Sequence, residues 1–428
     1  PDVLPDPFAI LVHGITPQTA NSDGISEAEL ISYFTKDVAK PGTIFVGYNS
    51  IRFDDKFMSY SNYRSLRDPY DWYWRDNRSR WDLLDPIRMM RALRPDGLEW
   101  PFASDGKPTV SLSSMTAVNG IEHSNAHDAL ADIEALIELA QKFNSSQPKL
   151  FKYLLENRGK KQVAEIVGEG KPFVYTSGKY SGEYLKTTLA VKIIDHPTRG
   201  GAVVYDLRTD PEELFDMSSS EIARRWQSYE PSDRLPLKTI MYNHCPAVAS
   251  ASVLIADPEA QARIKIDIAE CQKNLKKLKS AKDFTAKIFE VIRFLDKEQQ
   301  TMFGGVHDVD EALYDHLWTD EQQKILYSLS RSKPEEIIEA TKAGGDDKIA
   351  EIGFRFVARN YPKSLTAEQA ELWEQKRAKL LTDGGEKSLL AQFATKLAQA
   401  AETAKSEKQQ YLLTELQLYA ESIIPYTD

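Results

Sequence analysis

Two short segments of this 428-residue chain carry side chains that hydrolytic chemistry would use. The first is Ile121-Glu-His-Ser-Asn-Ala-His-Asp128, in which His123 and Asp128 stand five residues apart. That spacing places the histidine just outside a helix and the aspartate in its first turn. Two-metal phosphodiester hydrolysis uses such a pair: a carboxylate holds a divalent cation and a nearby imidazole deprotonates the attacking water. A structural alternative stands beside it, with Asn125 as N-cap and Asp128 as a favourable charge at N3. The second segment, Val46-Gly-Tyr-Asn-Ser-Ile-Arg-Phe-Asp-Asp55, ends a short apolar run with N-x-x-x-F-D. Asp54 is expected at the strand end or the next helix start, either as a rigidly held metal-site carboxylate or as an N-cap. His13-Gly-Ile-Thr-Pro17 precedes both segments, and the order of all three argues against coincidence.

These groups need a layered scaffold. Thr43-Ile-Phe-Val-Gly47 and Trp81-Asp-Leu-Leu84 read as short strands. Ser26 with Glu29 forms a capping box, and Ile25 with Leu30 a hydrophobic staple, for a helix over 27–38. Asp85-Pro86 is an N-cap and N1 pair. Ala129, Ile133, Leu136, Ile137 and Ala140 share one face of a helix over about 126–143. Strands mixed with helices predict an α/β domain over 1–147. Asn144-Ser-Ser-Gln-Pro148 reads as a linker. Residues 172–245 read as mainly β, a small barrel within a domain of 148–304. The pattern then turns helical, is broken at Gly304-Gly305, and gives an all-α domain over 305–428.

Composition sets the outer limits. With 54 basic and 64 acidic residues the net charge is −10, so nucleic-acid binding needs a local concentration of cations. The basic stretches 149–161 and 273–282 are candidates, with a solvated helix face as the alternative for each. No apolar run approaches the roughly 18 residues of a membrane span. Two cysteines, Cys245 and Cys271, make no disulfide framework and suggest a reducing cytoplasm; neither has a partner at zinc spacing.

HGIT, GYN-x-x-x-FDD and H-S-N-A-H-D together resemble the DEDDh superfamily of 3′→5′ exonucleases. The fuller resemblance is to the bacterial exonuclease I family, which degrades single-stranded DNA. RDPYDWYW, NRSRWDLLD, ALRPDGLEWP, SLSSMTAVNG and FRFVARNYP extend it over essentially the whole chain. It implies an RNase H-like α/β exonuclease domain, an SH3-like β-barrel and an all-α C-terminal domain. It also implies Mg²⁺-dependent release of 5′-mononucleotides in DNA repair, with Mn²⁺ as a substitute metal. Position by position, Asp128 matches the last metal-binding aspartate, His123 the general base and Asp54 the middle acidic residue. Asn49 and Phe53 would border the 3′-terminal nucleotide. Ile15 would wedge against the terminal base, with the backbone of His13, Gly14, Ile15 and Thr16 near the sugar. Arg80 and Trp81, in the aromatic-basic run 70–81, would contact phosphate and stack on a base, with packing under a loop as the alternative. The family also docks the acidic tail of single-stranded DNA-binding protein, for which Arg263 is the positional match, and family precedent suggests a monomer.

The resemblance has one gap. The family's first motif, D-x-E, should precede HGIT, yet only twelve residues precede His13, and Asp2 and Asp6 are followed two positions on by Leu4 and Phe8. The expectation is an N-terminally truncated sequence of an active enzyme, incomplete in its first strands and itself nearly inactive with Mg²⁺. A non-catalytic single-strand-binding adaptor and an RNA-trimming exoribonuclease are the alternatives.

Overall fold

A computed structural model describes residues 2–123, 129–168, 170–303, 308–315, 318–343 and 346–424. It divides into two compact units, each discontinuous in sequence. One comprises Pro1–Thr43, Asp55–Asn77 and His307–Asp428, the other Ile44–Asp54 and Arg78–Val306.

Local signals set most element starts. Asp6 caps helix α1 (Pro7–His13), and Thr16 caps α2 (Pro17–Asp23), each followed by an N1 proline. The Ser26/Glu29 capping box opens α3 (Glu27–Tyr33), which runs on as a π-turn over Phe34–Val38. The staple is not what fixes it, because Ile25 is 62% and Leu30 46% exposed. Strand β1 (Ile44–Gly47) leads to α4 (Asp54–Arg64), then β2 (Ser79–Asp82), α5 (Leu84–Leu93), α6 (Leu112–Val118) and α7 (Ala129–Ser146). The second strand thus ends at Asp82, and the helix starts ahead of Asp85, which lies in its first turn rather than at the cap.

β1 and β2 pair in parallel, with Ile44 opposite Ser79 and Gly47 opposite Asp82. α7 buries Ala135, Leu136, Leu139 and Phe143. The expected face was rotated from this one: Ile133 and Ile137 are exposed, as is Leu130. Burial at Leu139 and Phe143 shows that packing, rather than the count of apolar residues, chose the buried stripe.

The barrel segment is a five-stranded antiparallel sheet in the order β6-β5-β4-β3-β7. Its strands are β3 (Phe173–Thr176), β4 (Thr187–Asp195), β5 (Gly201–Asp206), β6 (Leu237–Met241) and β7 (Ala247–Ser250). Gly201 is required at the β5–β6 contact, where a Cβ would meet the Ile240 carbonyl oxygen at 2.2 Å. The core of this unit runs continuously from Trp81 and α5 through Phe143 to Val203 and Tyr205 and on to Ile288. In the other unit, Ile349, Ile352 and Val357 pack with Tyr63 and Leu66. No helix of the described residues is long and apolar enough to cross a membrane.

Candidate active site

The parallel pair sets the first part of the site. Chain leaving β1 turns at Asn49, whose φ of 64° lies in the left-handed region. Asp82, at the matching end of β2, holds that turn: its carboxylate accepts the N–H of Asn49 at 2.8 Å, of Leu84 at 3.0 Å and of Ile51 at 3.4 Å. Gly47 is needed here because a Cβ would lie 2.4 Å from that of Ser50. After the turn, Phe53 is 61% exposed and Asp54, also exposed, opens α4. Asp54 therefore presents its oxygens to solvent just beyond the carboxyl end of a parallel strand, where open α/β sheets bind ligands.

His123 is positioned by the C-terminus of α6. Gly120 takes φ 63°, and the Ile121 N–H returns to the Thr116 carbonyl at 3.0 Å. The reversal lays the imidazole back over α6, where its side chain is 6% exposed. Nδ1 lies 3.1 Å from the Thr116 hydroxyl oxygen, and Nε2 lies 2.5 Å from a carboxylate oxygen of Asp132 on α7. Asp128, Asn125 and His127 lie outside the described residues. Asp132 was not among the expected site residues, although it follows Asp128 by four positions, a spacing that shares one helix face.

The remaining expected residues fall in different places. Trp81 corrects the base-stacking expectation: it is 3% exposed and meets Phe151 edge-to-face at 4.9 Å, so its ring belongs to the core. Its β2 neighbour Arg80 points the other way, as strand alternation requires, and donates to the Asn243 carbonyl at 2.9 Å. Arg263 donates to the Ala92 carbonyl at 2.8 Å. His13, Gly14, Ile15 and Thr16 form a helix-to-helix junction in the other unit. There Gly14 ends α1 with φ 72°, the Ile15 N–H donates to the His13 ring, and Thr16 caps α2. Ile15 is 50% exposed, whereas Thr16 is buried.

A cavity of about 520 Å³ opens beside the Asn49 turn, lined by Asn49, Arg52, Arg88, Ser111 and Lys186 among others. Burial, reinforced by Arg88 and Arg234, holds the Lys186 ammonium below the usual lysine range. Burial also lowers Lys179, with Lys238 and Arg52 adding to it. Like charges crowded in this way make a binding place for a polyanion. The sequence pointed elsewhere, to the stretch 149–161 and to the stretch 273–282. There Lys273 is paired with Glu270, and Lys277 reaches Asp210 at 2.6 Å and Glu212 at 2.8 Å, as a solvated face would be.

The metal centre is not formed by these residues alone. Asp54 offers the hard oxygen donor that Mg²⁺ prefers. Among the described residues, however, no group of three or more His, Cys, Asp or Glu could hold a metal ion. Nor are Asp2 and Asp6, the acids ahead of His13, held as metal ligands. Asp2 is 3% exposed and accepts from Arg359 Nε at 2.9 Å and 3.0 Å, while Asp6 accepts the Phe8 N–H at 2.9 Å and the Lys396 ammonium at 2.8 Å.

Family models match the chain in three consecutive blocks: an exonuclease domain over 1–140, an exonuclease I SH3-like domain over 158–293 and an exonuclease I C-terminal domain over 307–423. Exodeoxyribonuclease I of Haemophilus influenzae is 35% identical over 88% of this chain and 80% of its own length. That of Escherichia coli is 32% identical over 99% of this chain and 88% of its own. The solved exonuclease I of Methylocaldum szegediense superposes with a TM-score of 0.89 at 36% identity, covering 99% of this chain and 90% of that one. Other matching exonuclease I structures include an E. coli complex with a dA16 oligonucleotide, a zinc-bound E. coli complex with single-stranded DNA, and an SSB/exonuclease I structure. Agreement of this extent, in sequence and in fold, makes the chain a member of the exonuclease I family.

Proposed function

We propose that this chain acts on single-stranded DNA as a 3′→5′ exodeoxyribonuclease releasing 5′-mononucleotides, in DNA repair. The observation that carries this reading is the cavity beside the Asn49 turn. A chain of net charge −10 gathers Arg52, Arg88 and Lys186 around one opening that Asn49 also lines. Backbone phosphates are the ligands such a cleft attracts. Asn49 and Phe53 would border the 3′-terminal nucleotide. Within the other unit, Ile15 would offer an apolar contact to a base and the His13–Thr16 backbone a contact to a sugar. Arg80 would contact phosphate, and His123 would accept the proton of the attacking water.

A divalent metal belongs to this reading, with Asp54 and Asp128 as oxygen donors suited to Mg²⁺ or Mn²⁺. Three further parts complete it: a monomer in the cytoplasm, domain limits near 147 and 304, and Arg263 as a contact for the acidic tail of single-stranded DNA-binding protein. A second reading has a specific observation behind it. Asp2 and Asp6 are both engaged in structural contacts, so neither is held as a metal ligand. This favours a second reading in which the chain binds single strands with little hydrolysis.

One experiment separates the readings: anisotropy of labelled oligo-dT, with Mg²⁺-dependent nucleotide release followed in parallel and EDTA as control. Salt-sensitive binding with Mg²⁺-dependent release is the result expected of the exonuclease, and the same binding with little release is the result expected of the second reading. Release at an enzyme-like rate would remove the D-x-E argument. Failure to bind DNA, or preference for a ribo-oligonucleotide, would overturn the proposed substrate.

A further inference from the structure

Both ring nitrogens of His123 face oxygen, and the partners differ in what they can do with a proton. The hydroxyl of Thr116, a buried residue, donates to the Ser113 carbonyl at 2.9 Å. With its hydrogen so used, its oxygen can only accept from the ring, which places a proton on Nδ1. On the other side, Nε2 lies 2.5 Å from the Asp132 carboxylate, again an acceptor. The arrangement therefore holds the ring with a proton on each nitrogen. It is the form that exists after proton uptake, not before it.

We propose that Asp132 is a positioning residue that docks His123 once the imidazole has taken its proton. The inference rests on the reading of His123 as proton acceptor. Before uptake, Thr116 keeps the proton on Nδ1, so the nitrogen left bare is Nε2, the one that removes the proton from water. After uptake, the imidazolium pairs with Asp132. The Asp132 side chain is 41% exposed, so the proton passes from Nε2 to bulk water there and the ring is released as the Nδ1–H tautomer. Placing both partners on helices, α6 and α7, gives the docked state a fixed geometry.

The test uses the 428-residue chain with ¹⁵N-labelled histidine rings, the His123 signals being assigned by their loss in His123→Gln. In Asp132→Asn, at unchanged pH, the Nε2 resonance should move toward its unprotonated position while Nδ1 stays protonated. Asp132→Glu should restore part of the wild-type signal. Thr116→Ser should keep the Nδ1 preference and Thr116→Val should lose it. Identical ring spectra for wild type and a folded Asp132→Asn, or a bare Nδ1 in the wild type, would overturn the proposal and leave DNA binding untouched. A docked ring in a chain that binds no single-stranded DNA would instead sink the functional reading, and with it the catalytic meaning of the docking.

Discussion

The carboxylate of Asp82 holds Asn49 in a left-handed turn, accepting its N–H at 2.8 Å from across the parallel strand pair. Asp54 opens the helix five residues beyond that turn, so the strand-to-strand contact decides where the exposed acid stands. An L-residue without a short polar side chain pays about 1–2 kcal/mol in this conformation. Asn49→Gly should therefore be tolerated, while Asn49→Val should lose about that much in urea denaturation. Asp82→Ala removes the acceptor for N–H groups of the turn and should cost about 1–3 kcal/mol, with a parallel drop in oligo-dT affinity.

The cationic cavity makes a prediction about salt. Arg88→Ala and Lys186→Ala should each weaken oligo-dT binding and flatten its dependence on salt. The slope of log affinity against log salt should fall by about 0.7 for each phosphate that the protein no longer neutralises. Lys273→Ala, outside the lining of that cavity, should leave the slope unchanged. Equal effects at all three positions would argue for diffuse attraction rather than a built cleft. Anisotropy titrations over a salt series measure this.

Trp81 tests the difference between core and contact. Its 3% exposure predicts a loss of about 3–5 kcal/mol for Trp81→Ala, the range for removing a large buried ring. The fraction that remains folded should keep the wild-type salt slope. A stable variant with selectively weaker DNA binding would restore the base-stacking role.

The other unit carries a pH-dependent network. Burial alone would raise the Asp310 carboxyl, but hydrogen bonds and charge from Arg359 and Arg355 outweigh it and hold the group at about 2. The folded value is thus below the ordinary 3.8, so the stabilisation is fully present above that pH and is lost as pH falls from 3.8 toward about 2. Arg359 also grips Asp2. Arg359→Ala leaves the buried Asp2 without that partner and the half-buried Asp310 with Arg355 alone, and should cost about 3–5 kcal/mol near neutral pH. The deficit should shrink in acid denaturation, because protonated carboxyls no longer need the cation. Denaturant melts at a series of pH values would show this.

Much of the scaffold was written locally. The Ser26/Glu29 box and the β-branched runs of β3 to β5 depend on neighbours within a few residues, and those are visible in a string. The motifs shared with the exonuclease I family were visible for the same reason, each being a short run with its own spacing. Which face of α7 would be buried was not visible. Its apolar residues surround enough of the helix that Leu139 and Phe143 on one side, or Ile133 and Ile137 on another, satisfy the period equally well.

By itself, then, the sequence determined the order of elements, the family motifs and the identities of His123 and Asp54, because these follow from local backbone preference and residue chemistry. Only the tertiary structure decided that Trp81 turns inward while Arg80 turns out, that Asp132 meets His123, and that Arg52, Arg88 and Lys186 share one opening. Those outcomes depend on strand register and helix packing between segments distant along the chain, and a linear pattern does not contain the distances that set them.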